Sequence, residues 1–247
     1  MFDRRQFIST AVLAAASGAA AHEKPAQEMQ YYHDYRILGL SLPVLPGAYL
    51  ANQQNKEPLI IGHMLYAMGK LKARGVNPIT VGELFAADAY YSFIARRFGA
   101  DRADAFDNDR DGYLVQARTL AGLLKETNVG IHKVDMFEMP ADYRASIVVN
   151  VGGLYHVSDP LRALEISHNM AQEYLIVQTV VSLANESADY FEAPAPGWTW
   201  GSRFSYAFLR REILKRGYKI MDEDRNVLSG NDRPEDRGSA YFLISRR

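Results

Sequence analysis

The sequence predicts an α/β protein whose mostly parallel sheet is covered by helices on both faces. Three observations carry that expectation. Short apolar runs alternate with helix-length segments between residues 80 and 216, the order of repeated βα units. Two of the runs, S-I-V-V-N-V at Ser146–Val151 and Y-L-I-V-Q-T-V-V at Tyr174–Val181, are rich in β-branched residues and scarcely alternate, as strands buried between two helix layers must be. Acidic residues recur at successive strand ends: Glu83, Asp107 and Asp135. The 247 residues, 48% hydrophobic and 23% charged, suffice for one large domain with an extension. A formal net charge of −1 gives no whole-molecule attraction for nucleic acid. The absence of cysteine excludes disulfides, thiolate metal sites and cysteine nucleophiles.

The amino terminus is set apart. Arg4-Arg5-Gln6-Phe7-Ile8 leads into an alanine-rich run ending in Ala19-Ala20-Ala21, the order of charge, apolar stretch and small-residue cleavage site found in twin-arginine export signals. Residues 1–27 are expected to be such a signal, giving an exported or periplasmic protein, or else a helical or disordered extension of a cytoplasmic one. The run is too short to span a membrane, and no transmembrane segment is expected. Residues 28–75 are expected to form a helical cap or lid. Within them Tyr31–Ala48 reads as an irregular wrap punctuated by Pro43, Pro46 and Gly47. A helix over Glu57–Arg74 follows, with Leu59, Ile60, Met64, Leu65, Met68 and Leu71 near one face and Gly75 as its stop.

Residues 76–247 carry the alternation. Thr80–Phe85 reads as the first strand and Tyr90–Phe98 as a short helix stopped by Gly99. Arg102–Phe106 is the second strand, Tyr113–Thr127 a helix, and Gly130–Val134 the third strand. The strands Ser146–Val151 and Tyr174–Val181 flank a helix at Leu161–Ala171. A helix at Tyr206–Arg216 precedes two terminal strands, Tyr218–Met221 and Ala240–Ser245, with Asp222–Arg237 read as a solvated loop between them.

The run T-V-G-E-L-F-A-A-D-A-Y-Y-S at Thr80–Ser92 has the layout of a nucleotide-binding first βα turn, where a ligand lies outside the carboxyl edge of the sheet. A carboxylate ending the second strand, here Asp107, can accept hydrogen bonds from both hydroxyls of a ribose. Asp135 can hold an adenine amino group with Met136 against the ring. Any one of these acids taken alone reads sooner as a solvated loop residue; it is the series at successive strand ends that points to a site. Asp107–Gly112 also matches the D-x-D-x-D-G opening of a calcium loop, but its twelfth position is Arg118, a cation where the closing carboxylate belongs. No metal is expected.

The segments E-L-F-A-A-D-A-Y-Y-S, A-F-D-N-D, K-V-D-M-F and V-G-G-L-Y-H-V-S-D-P (Val151–Pro160) together resemble the class I S-adenosylmethionine-dependent methyltransferases, over about Glu57 to the carboxyl terminus. The resemblance implies a Rossmann-like, seven-stranded, mostly parallel sheet with helices on both faces and an antiparallel C-terminal hairpin. It implies S-adenosyl-L-methionine as cofactor, held by Glu83, Phe85, Ala87, Asp107, Asn108, Asp135, Met136 and Asn150. The family usually has glycine where this chain has Phe85, Ala87 and Ala89. Alanine can follow a backbone with negative φ, but its methyl intrudes, and phenylalanine intrudes further. His156 is the expected proton acceptor, or else a histidine bonded to its own loop. Tyr155, Trp198, Trp200 and Arg203 are expected to form a substrate wall, or else a loop pinned by buried tryptophans. The expected activity is methyl transfer to a small molecule, at oxygen. The alternatives are a cofactor-less or non-catalytic binding protein on this fold, and tRNA modification, suggested by similarity to the wobble-uridine group.

Overall fold

The computed structural model describes residues 29–246; the twin-arginine-like segment lies outside them. In chain order the elements are α1 (Ala48–Ala73), β1 (Thr80–Leu84), α2 (Tyr90–Arg97), β2 (Arg102–Asp107), α3 (Leu114–Leu124), β3 (Val129–Lys133), β4 (Ala145–Val151), α4 (Pro160–Met170), β5 (Ala171–Val181), β6 (Phe191–Glu192), β7 (Arg203–Phe204), α5 (Tyr206–Lys215), β8 (Lys219–Val227) and β9 (Gly238–Ser245). Seven strands make one sheet in the order β3-β2-β1-β4-β5-β9-β8. The first five are parallel, while β9 runs antiparallel to both β5 and β8.

Neighbouring residues along each central strand feed opposite faces. Val81, Ile147, Ile176 and Leu243 pack against Ile60, Met64 and Leu71 of α1, Phe93 and Ile94 of α2, and Leu120 of α3. Val148, Leu175, Val177, Phe242 and Ile244 pack against Leu164 of α4 and Leu209 and Ile213 of α5. Tyr31 and Tyr35, from the segment before α1, are buried in the first of these layers. Side chains mark the helix starts: Asp159 accepts from Arg162 N at α4, and Ser205 from Phe208 N at α5.

Two boundaries depart from the sequence reading. Helix α1 begins at Ala48, not Glu57, and carries Pro58 in its interior. Proline is an expected breaker, but Asn52, Gln53 and Lys56 before it are buried, and that packing extends the helix past the missing N–H. Strand β8 continues to Val227 through Asp222–Arg225, residues expected to lie in a loop. It is the sheet's edge, where one face and one rim meet water and charge is tolerated.

Candidate functional site

From β1 the chain builds outward through β2 and β3, then returns to β4 on the other side of β1. Loops leaving β1 and β4 diverge at this switch point and leave a crevice between them. In the first loop Phe85, Ala87 and Ala89 have φ of 57°, 47° and 63°. The backbone takes the left-handed angles natural to glycine rather than the negative φ that alanine can follow without strain, at about 1–2 kcal/mol per L-residue.

What holds the turn is visible. Ala87 N donates to Asp107 Oδ2 at 3.0 Å, Ala86 N to Phe106 O at 3.1 Å and Ala89 N to Ala86 O at 2.7 Å. The buried Glu83 carboxylate accepts from Tyr91 N (3.2 Å), Ser92 N (2.7 Å) and Ser92 Oγ (2.7 Å) at the start of α2. Burial raises Glu83 to about 8, against the opposing pull of these bonds. The Phe85 ring fits because residue 153 is glycine: a Cβ there would lie 2.0 Å from Phe85 Cδ2.

The crevice is a cavity of about 410 Å³. Of the residues singled out in the sequence, Glu83, Phe85, Ala87, Asp107, Asn108, Tyr155, His156 and Trp200 line it. Asp135 and Met136 line an adjoining hollow of about 40 Å³, whose wall Phe85, Asp107 and Asn108 share. Asp135 Oδ1 also accepts from Phe137 N at 2.9 Å, capping a short helical turn. Asn150, Trp198 and Arg203 line neither space. Asn150 is fully buried and donates Nδ2 to Ser167 Oγ on α4 at 2.9 Å. Trp198 packs on Trp200 with ring centroids 5.1 Å apart. Arg203 is buried, pairs with Asp236 at 2.5 Å and lies 5.3 Å from the Tyr155 ring centroid, so it braces the wall from behind.

His156 stacks on Trp200, and its buried Nδ1 has no hydrogen-bond partner. Desolvation first, then the charges of Arg110, Lys56 and Arg203, lower the imidazole to about 3. It is neutral across the physiological range and a weak base. Asp107 shifts upward through desolvation, against the Ala87 and Asp109 N–H groups that bond it.

Sequence reasoning missed the residue that ties the amino-terminal segment to this site. Asp88 is fully buried and accepts from Tyr32 N (2.9 Å), His33 N (3.0 Å) and His33 Nδ1 (2.6 Å). Tyr35 Oη donates to the Asp88 carbonyl at 3.0 Å. The His33 ring stacks on Tyr90, 4.5 Å between centroids, and both His33 and Tyr32 line the cavity. An aspartate between two alanines, at the heart of a turn meant for small residues, was the available signal. Lys56 and Gln53 of α1 and Arg110 after β2 also line the cavity. The two from α1 were hidden because the helix was expected to start after them.

No family model and no curated protein matches the sequence. Solved structures do. Magnesium protoporphyrin IX methyltransferase from Synechocystis PCC 6803 with bound SAH is similar at TM-score 0.59 and 13% identity, over 86% of this chain and 92% of that one. The N-terminal domain of EvdMO1, crystallised in the presence of SAH and D-fucose, is similar at TM-score 0.53 and 16% identity, over 75% and 83%. The [4+2]-cyclase SpnF is similar at TM-score 0.52 and 14% identity, over 68% and 74%. With the strand order and the crevice at its switch point, these likenesses show that the chain has the fold of the class I S-adenosylmethionine-dependent methyltransferases.

Proposed function

We propose that the protein is an S-adenosylmethionine-dependent methyltransferase acting at an oxygen of a small molecule. The observation that supports this most is the turn after β1. It keeps glycine-like angles at three non-glycine residues, at a conformational cost, and bonds its backbone to the acid ending β2. The donor set suits a nucleoside. Asp107 has carboxylate lone pairs beyond the two bonds it makes and faces the cavity beside Asn108; Asp135 and Met136 face the hollow next to it. These residues would hold the cofactor, with Glu83 and Ala87 at the turn. When bound, the cofactor supplies an electrophilic methyl on a sulfonium.

The protein's own part is to exclude water, align the acceptor and take its proton. His33 is placed for the last task. Asp88 fixes its Nδ1 and so orients the ring, leaving Nε2 on a cavity-lining residue. His156, neutral and stacked on Trp200, serves as a hydrogen-bonding wall group instead. A second reading, a small-molecule binding protein without the cofactor, is favoured by Phe85, whose ring stands where such turns usually leave room. Recognition of tRNA has no comparable support, since the net charge is −1.

Calorimetric titration with S-adenosylhomocysteine separates the two leading readings: binding at micromolar concentration is expected, and no heat at high micromolar ligand would sink the methyltransferase reading. Asp107→Ala should weaken that binding by more than about tenfold, as loss of charge-assisted hydrogen bonds does. Export through the paired arginines is part of the proposal, and amino-terminal sequencing of protein from the periplasm tests it; an intact Met1 there would end it.

A further inference from the structure

Lys56 has no role in the fold that accounts for its position. It is 5% exposed, yet it lines the cavity and makes no ion pair or hydrogen bond with any described residue. Burial alone lowers its ammonium to about 8, with no carboxylate to offset the cost. One helical turn earlier Gln53, 4% exposed, also lines the cavity, and its Oε1 is buried without a partner. His156 Nδ1 is a third unpartnered polar atom on a lining residue, and the charge of Lys56 reaches that ring. Buried polar groups are as a rule bonded, so three lining one cavity mark a place where a partner is missing.

The surroundings define that partner. Arg110 adds a second cation, its guanidinium carbon 5.2 Å from the Trp200 ring centroid and its charge shared with Asp111. Trp200, Tyr155 and Tyr49 supply flat apolar surface. The acids that suit a nucleoside, Asp107 and Glu83, belong to β2 and β1, whereas Lys56 and Gln53 come from α1 and His156 from the loop after β4.

We propose that Lys56 and Gln53 form a carboxylate-binding subsite for the methyl acceptor, which is therefore a planar, conjugated or aromatic acid. The inference rests on the methyltransferase reading for the word acceptor, but not for the subsite. Lys56 holds one carboxylate oxygen by a charge-assisted bond, the Gln53 amide turns to meet the other, and the ring lies along Trp200 and Tyr155.

Benzoate and 4-hydroxybenzoate are suitable probes, with benzyl alcohol as the uncharged control, followed by NMR of the lysine Cε–Hε signals and by calorimetry. Wild-type protein should bind both acids and not the alcohol. Lys56→Met should weaken them at least about tenfold, with Lys56→Arg falling between. Lys56→Met should fold and melt at or above the wild-type temperature, because it removes an unpaired buried charge. Wild-type protein that ignores both acids, or Lys56→Met that binds them unchanged, overturns the subsite. The other carboxylate in such a cavity would be the cofactor's own. If Lys56→Met weakens S-adenosylhomocysteine but leaves 5′-methylthioadenosine, which lacks the amino-acid tail, unchanged, the acceptor assignment is wrong. Wild-type titration with S-adenosylhomocysteine reports separately on the methyltransferase reading, so the two can fail independently.

Discussion

Phe85, Ala87 and Ala89 are held at backbone angles that their side chains oppose, and Gly153 is the residue that makes the first of them tolerable. Two substitutions measure this. Ala87→Gly should raise stability by about 0.5 kcal/mol, the relief of a left-handed L-residue less the added entropy of unfolded glycine; chemical denaturation reads it. Gly153→Ala should cost about 1–3 kcal/mol as its methyl meets the Phe85 ring. Added to Phe85→Ala it should cost less, though not nothing, because Asn150 Oδ1 lies 2.6 Å from the same position. Glu83 sets a pH dependence. Its folded pKa of about 8 lies above the ordinary carboxyl value of 4.5, so the folded state binds the extra proton. The stability it contributes is complete below 4.5 and is lost as pH rises through 8. The urea midpoint should fall across that window, and Glu83→Gln should flatten the fall.

At the scale of elements, the central strands and α4 were legible because each is a long apolar run or a periodic helix with an aspartate–proline start, signals that owe nothing to distant contacts. The helix α1 was legible only from Glu57, since its first part is polar and its burial depends on contacts such as Asn52 Nδ2 to Ser229 O, 177 residues away. The loop acids were legible as acids, but not their partners: Asp107 spends bonds on Ala87 and Asp109, and Arg203 turns from the cavity to Asp236. No local pattern reports where an arginine after a strand will point. The same holds for the tyrosine-rich segment before α1, in which Tyr32 and His33 share one buried carboxylate while Tyr31 and Tyr35 sit in the core. Asp88→Asn should free it at a cost of about 2–4 kcal/mol, since it weakens three hydrogen bonds to a group sealed from water. Hydrogen exchange over residues 31–45 should accelerate far more than in β4 or β5; uniform protection would refute that anchoring.

For the molecule as a whole, the sheet closes on an antiparallel hairpin whose outer strand presents Lys219, Asp222, Asp224 and Arg225 along an open rim. Charge on an edge strand keeps copies of a sheet from joining. Lys219→Val with Asp224→Val leaves the His63–Asp222 and Arg225–Glu186 ion pairs in place and should cause concentration-dependent association, seen by light scattering. Among the described residues no helix is long and apolar enough to cross a membrane.

The contact between Phe85 and residue 153 also couples two positions 68 apart in the chain. In a library randomised at both, variants that retain an aromatic at 85 should be recovered with glycine at 153, because the ring fills the space a Cβ would need.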